Sequence, residues 1–155
     1  MLGGIDCMTK KLLNILLIAT TVLAYGQSTE DSTGVIYSLI GELSDEQLNN
    51  SGAIKLTFAN DRNEAQQLAN EDITKGIPFL LLAGGISPVV IATDPKFEQK
   101  YGIYFYDYGC TGPEHDFIIA YNNVIFEHLT EQYGKRWFKE VRKDVVGLKD
   151  WKKSK

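Results

Sequence analysis

The chain has 155 residues, with 20 acidic and 16 basic side chains, a formal net charge of −4 and 44% hydrophobic residues. That composition excludes disorder, collagen and coiled coil for the bulk of the chain and fits a single domain. Two Cys and two His exclude a disulfide scaffold and a four-thiolate zinc site.

Lys10 and Lys11 precede an apolar run from Leu12 to Ala24, broken by Asn14, Thr20 and Thr21, and Ala24-Tyr25-Gly26 places small residues where a peptidase cuts. A basic start, a short apolar stretch and small residues at its end predict a secretory signal peptide over residues 1–26. Met8 is the better start for it, which puts residues 1–7 upstream of the true start. The run rises about 20 Å as a helix, short of the ~30 Å hydrocarbon core. A cleaved signal is therefore expected ahead of the alternative, an N-terminal membrane anchor. The protein is then periplasmic or secreted. Cleavage removes Cys7 and leaves Cys110 as a single free cysteine in an oxidising compartment, where a lone thiol is buried and inert, paired between chains, or reactive.

Residues 27–52 read as a polar leader with a short strand and helix. Val35–Ile40 is apolar, and Ser44 with Gln47 forms a capping box. A single globular domain follows over 53–148. Ala53–Ala59 alternates Ile54, Leu56 and Phe58 against Lys55 and Thr57, which predicts a half-buried strand. Asp61 caps a helix with Glu64 at its third position. Ala65, Leu68, Ala69 and Ile73 form its apolar stripe, and Gly76 ends it. Pro78 opens a fully buried strand, Phe79–Ala83. Gly84-Gly85-Ile86-Ser87 turns it into a hairpin partner, Val89–Ala92. Asp94-Pro95 starts a helix that stops at Gly102. Ile103–Tyr108 is the last strand.

Pro113 or Glu114 begins the longest helix, with Ile118, Tyr121, Ile125 and Leu129 inward and Gly134 at its end. A final helix turns Trp137, Val141 and Val145 inward and ends at Gly147. Residues 149–155 are a basic tail. The order β-α-β-β-α-β predicts an α/β (α+β) two-layer sandwich with a ferredoxin-like core plus two C-terminal helices.

Charge divides along the chain. Residues 27–134 hold 16 acidic and 5 basic side chains, and residues 135–155 hold 3 acidic and 9 basic. Two readings fit. The basic C-terminal helix neutralises an acidic body, or it contacts an anionic surface. Nucleic acid is not an expected partner, because the basic stretch is short and the remainder strongly acidic.

The densest chemistry lies between Tyr104 and His115. Cys110 follows a strand and precedes a long helix, where free N–H groups favour a thiolate. His115 is one turn away as a base, and Asp107 is its orienter. Cys110, His115 and Asp107 are thus the catalytic candidates. They also supply thiolate, imidazole and carboxylate, but at a spacing that does not diagnose a metal, and no metal is assigned. Tyr106, Tyr108, Gly109, Thr111, Gly112, Tyr121 and Asn122 are the ligand-binding candidates: rings for a shelf, glycines for close approach, polar groups for orientation. The bland alternative is that the rings and the thiol are core, with Asp107 closing a turn. His128 reads as partly buried packing. Gly84-Gly85 is not followed by Gly-Lys-Ser/Thr, so no phosphate loop and no cofactor is implied.

The string Phe97-Glu98-Gln99-Lys100-Tyr101-Gly102 resembles the bacterial FEKKY-domain proteins, with Gln99 at the middle position. Leu80-Leu81-Leu82-Ala83-Gly84-Gly85-Ile86, Tyr108-Gly109-Cys110, Tyr121-Asn122, Tyr133-Gly134-Lys135 and Arg142-Lys143-Asp144-Val145-Val146-Gly147-Leu148 extend the resemblance over most of residues 60–148. The resemblance implies a small exported or membrane-associated bacterial domain and carries no catalytic residues with it. The expectation is a small exported binding or interaction module, with a protein or small-molecule partner, rather than an enzyme. The rival is a thiol-dependent enzyme or redox protein using Cys110 with His115.

Overall fold

Side-chain caps set the first helices. The computed structural model describes residues 39–85 and 91–155. The expected signal peptide, most of the Val35–Ile40 run and most of the Gly84–Ala92 hairpin lie outside the described residues. Leu39–Glu42 is a 3₁₀ turn rather than the end of a strand. Helix α1 (Asp45–Asn49) opens on the expected capping box, with Ser44 and Gln47 each bonding the other's backbone N–H.

The strand expected at Ala53–Ala59 is helical. Ser51 caps α2 (Gly52–Lys55), and a 3₁₀ turn, Leu56–Phe58, continues it. The first N–H groups of α2 bond the buried Asp72 carboxylate. Ala53 and Leu56 are buried at helical spacing, while Phe58 is 78% exposed. Capping outweighed the apolar alternation.

Helix α3 (Arg62–Thr74) starts on Asp61, whose side chain accepts the Glu64 N–H. It ends in a paired C-terminal turn, Gly76 N–H to Ile73 and Ile77 N–H to Asp72, with Gly76 at φ +73°. Strand β1 (Phe79–Leu82) is buried along its whole length. Helix α4 (Asp94–Tyr101) carries Pro95 in its first turn and stops on the left-handed Gly102. Its N-cap is Thr93 rather than Asp94. Strand β2 (Tyr104–Asp107) then pairs with β1 in parallel, Phe79 opposite Tyr104 and Leu82 opposite Asp107.

Helix α5 (His115–Tyr133) runs the length expected and buries Ile118, Tyr121, Ile125 and Leu129. It packs on α3 and on β1. The helix expected around Trp137–Val145 is a 3₁₀ turn, Arg136–Lys139, followed by irregular chain. Trp137, Val141 and Val145 are nonetheless buried. The backbone of Val146 bonds Leu81 and Asn122, and that segment follows the sheet edge instead of coiling.

Gly147 opens a helix rather than closing one. The stretch read as a basic tail holds α6 (Leu148–Lys153), with Trp151 buried against Phe126 and Trp137 at 5.3 and 5.9 Å between ring centroids. The architecture is α+β. Among the described residues there are two strands, both in one parallel pair, so the four-stranded ferredoxin-like core is not present there.

Candidate functional site

Because β1 and β2 are parallel, both carboxyl ends open at the same edge of the sheet, the usual place for a ligand in α/β chains. Gly84 N–H donates to the Gly109 carbonyl at 2.8 Å, which brings the Gly84-Gly85 turn against the loop that follows β2. Gly109 sits at φ +62°. Gly112 is required for a different reason. A Cβ there would stand 2.9 Å from the Tyr108 Cβ and 3.1 Å from its Cγ. Cys110, Thr111 and His115 are exposed on this loop and at the start of α5.

The three catalytic candidates do not assemble. The Asp107 carboxylate accepts the Gly109 N–H at 2.8 Å, closing its own turn. It does not orient His115. Cys110 and His115 make no hydrogen bond or ion pair among the described residues. Among those residues, no group of three or more His, Cys, Asp or Glu is placed to hold a metal ion. The expectation that Cys110 is a buried structural thiol is also corrected, since it is exposed.

Most of the ligand candidates serve the interior. Tyr106 is half-buried, edge-on to Phe79 at 6.3 Å and to Tyr108 at 4.9 Å, and burial pushes its hydroxyl pKa up. The Tyr108 hydroxyl donates to the Ala53 carbonyl, and burial holds its pKa far above the ordinary tyrosine value. Tyr121 is fully buried and donates to Asp72 Oδ2 at 2.6 Å. Desolvation, then the Asp72 charge, keep it protonated. Asn122 is fully buried too. Its Oδ1 accepts the Leu81 N–H at 2.9 Å, and its Nδ2 donates to the Leu81 and Val146 carbonyls, each at 2.9 Å. Thr111, Gly109 and Gly112 remain in the exposed loop.

Asp72 was not anticipated. Its Oδ1 accepts the Gly52 N–H at 2.7 Å, and its Oδ2 accepts the Ala53 N–H at 3.1 Å and the Tyr121 hydroxyl. Desolvation raises its pKa, and these bonds offset only part of that. Glu98, also buried, accepts the Phe105 N–H at 2.9 Å. Arg142, buried with Asp94, bonds it at 2.8 Å and, through Nε and Nη2, the exposed Asp144 at 2.8 and 2.6 Å. The sequence signal was there. Asp72 and Asn122 each fall on the apolar stripe of their helix, where a polar residue has to be satisfied internally.

The C-terminal cations are partly matched. Arg142 meets Asp94 and Asp144, Lys155 meets Glu127, and Lys153 meets Asp150. Lys152 lies over the Phe138 ring and donates to the Phe138 carbonyl. No helix among the described residues is long and apolar enough to cross a membrane. Among the described residues, three surface cavities are lined by residues outside the thiol loop. One of about 490 Å³ lies along α3 by Gln67 and Glu71, one of about 230 Å³ lies by Gln47 and Lys75, and one of about 440 Å³ lies by Lys96 and Lys139. Cys110, His115 and Asp107 line none of the three. The chain matches no protein-family model, no curated protein and no solved structure.

Proposed function

We propose that the chain is a small exported binding or interaction module related to the FEKKY-domain proteins, and not a thiol enzyme. The observation that carries this reading is the closure of Asp107 on Gly109 N–H. It leaves Cys110 and His115 exposed without an orienting acid. A nucleophile–base pair needs a third group to hold the base in place. The FEQKY string on which the family reading rests lies on α4. Phe97, Glu98 and Tyr101 are buried, and Glu98 secures β2, while Gln99 and Lys100 face outward. A surface loop carrying two glycines, a threonine and a thiol suits contact with a partner better than chemistry on a substrate.

Iodoacetamide alkylation at pH 6 tests the reading, in a Cys7→Ser background so that Cys110 is the only thiol. The expected rate in the folded chain is within about threefold of that in the urea-unfolded chain, as for an unactivated thiol. A folded rate higher by about tenfold or more would mark an activated thiolate. It would replace this reading with the thiol-enzyme one.

A further inference from the structure

The body of the domain is acidic, and its few lysines are unevenly placed. Of the five basic residues in 27–134, two are Lys96 and Lys100 on α4. Both line the cavity of about 440 Å³, together with Thr93, Phe97, Lys139 and Glu140. Lys96 and Lys100 are four residues apart on one helix, where like charges repel. Lys96 also sits in the first turn, at the positive end of the helix dipole. Lys139 adds a third cation from the turn after α5. Glu140 is the one carboxylate lining the cavity, and it is bonded to Lys100 at 2.7 Å. Lys96 and Lys139 have no partner among the described residues. Glu140 offsets the charge of Lys100 alone, which leaves two exposed cations at the cavity unmatched among the described residues.

One further group lining the cavity, Thr93, caps α4 without a side-chain hydrogen bond. We propose that this cavity binds a phosphate group, held by Lys96, Lys100 and Lys139, with the Phe97 ring as the wall for the organic body that carries it. Phosphate oxygens would satisfy the three ammonium groups. The site shares no residue with the Cys110 loop, so it does not depend on the reading of the thiol.

Amide NMR spectra of the chain, titrated with inorganic phosphate and with phenyl phosphate, test the proposal. Saturable shifts are expected around Thr93, Lys96, Lys100 and Lys139, with phenyl phosphate binding the tighter. The double variant Lys96→Gln/Lys139→Gln should weaken both by about tenfold. Glu140→Gln removes the competing carboxylate and should tighten both by about threefold. Unchanged affinity in the double variant, weaker binding in Glu140→Gln, or shifts centred elsewhere would overturn the proposal. Sedimentation with phosphatidylcholine vesicles containing phosphatidic acid identifies the source of the phosphate. Co-sedimentation that the double variant loses assigns it to a lipid headgroup. Binding in solution without co-sedimentation assigns it to a free ligand, and binding of neither kind overturns the proposal.

Discussion

The Asn122 carboxamide occupies the place of a neighbouring strand beside Leu81. It accepts the Leu81 N–H and donates to the Leu81 carbonyl, both at 2.9 Å. An isolated pair of parallel strands leaves two rows of unpaired backbone groups. Here α5 covers one row through Asn122, helped by the Val146 N–H on the same Leu81 carbonyl at 3.2 Å. Glu98 from α4 covers the Phe105 N–H on the other side. Side chains from the flanking helices thus bond backbone groups on the outer edges of both described strands.

Asn122→Leu should be strongly destabilising for that reason. It leaves the Leu81 N–H and the Val146 carbonyl without their side-chain partner in a dry interior. The expected loss is about 2–4 kcal/mol, as for a buried group deprived of its bond. Urea denaturation measures it. A midpoint equal to that of the parent would show that Asn122 does not close the edge of β1.

Arg142 should tolerate no replacement, including lysine. Its side chain is 6% exposed and that of Asp94 is 4% exposed, so removing the cation strands a buried carboxylate. Arg142→Met is expected to cost about 3–5 kcal/mol. Lysine has no fork to reach Asp94 and both oxygens of Asp144 together. Arg142→Lys should recover less than half of the loss in the same denaturation experiment. Full recovery would mean that charge alone matters there.

Much of this was legible in the residues. The capping box at Ser44, the Asp61 cap, the buried β1, the Gly102 stop and the whole of α5 follow from local signals that tertiary packing reinforced. Two segments misled. Ile54, Leu56 and Phe58 alternate like a strand, but the N–H groups of Gly52 and Ala53 find a carboxylate twenty residues away, and no local pattern shows that. Val141 and Val145 keep helical spacing, yet Val146 is drawn off by Leu81. The candidate site failed in the same way. Asp107 was close enough in sequence to serve His115, but the N–H two residues on is closer still. Tyr121 reads as a ring of a ligand shelf and Asn122 as an orienting polar group, whereas their position on the buried stripe of α5 decides their role.

The two best-defined carboxylates respond to pH in opposite directions. Burial raises the Asp72 pKa above its ordinary 3.8, so its contribution is fully present below that pH and declines as pH rises through the folded value. Arg142 lowers the Asp144 pKa, so its contribution is present above 3.8 and is lost as pH falls through the folded value. Asp72→Asn should therefore be destabilising by about 1–3 kcal/mol, since one of its three donors loses an acceptor. The gap from the parent should narrow as pH rises from acid towards neutral. Asp144→Asn should show a gap that widens over the same range. Thermal unfolding across pH checks both, and parallel curves for the two variants would contradict the assignment.

Cys110 should behave as a surface thiol with no part in stability. Its loop neighbours Thr111 and Gly112 are exposed as well, so a second chain can approach. In a Cys7→Ser background, mild oxidation is expected to give a disulfide-linked dimer on a non-reducing gel, and Cys110→Ser should abolish it. The same substitution should change the unfolding free energy by no more than about 0.5 kcal/mol, the usual range for a surface site. If the thiol is labelled only after denaturation, or if Cys110→Ser unfolds the chain, the loop after β2 belongs to the core, and the contact surface proposed for it has to be placed elsewhere.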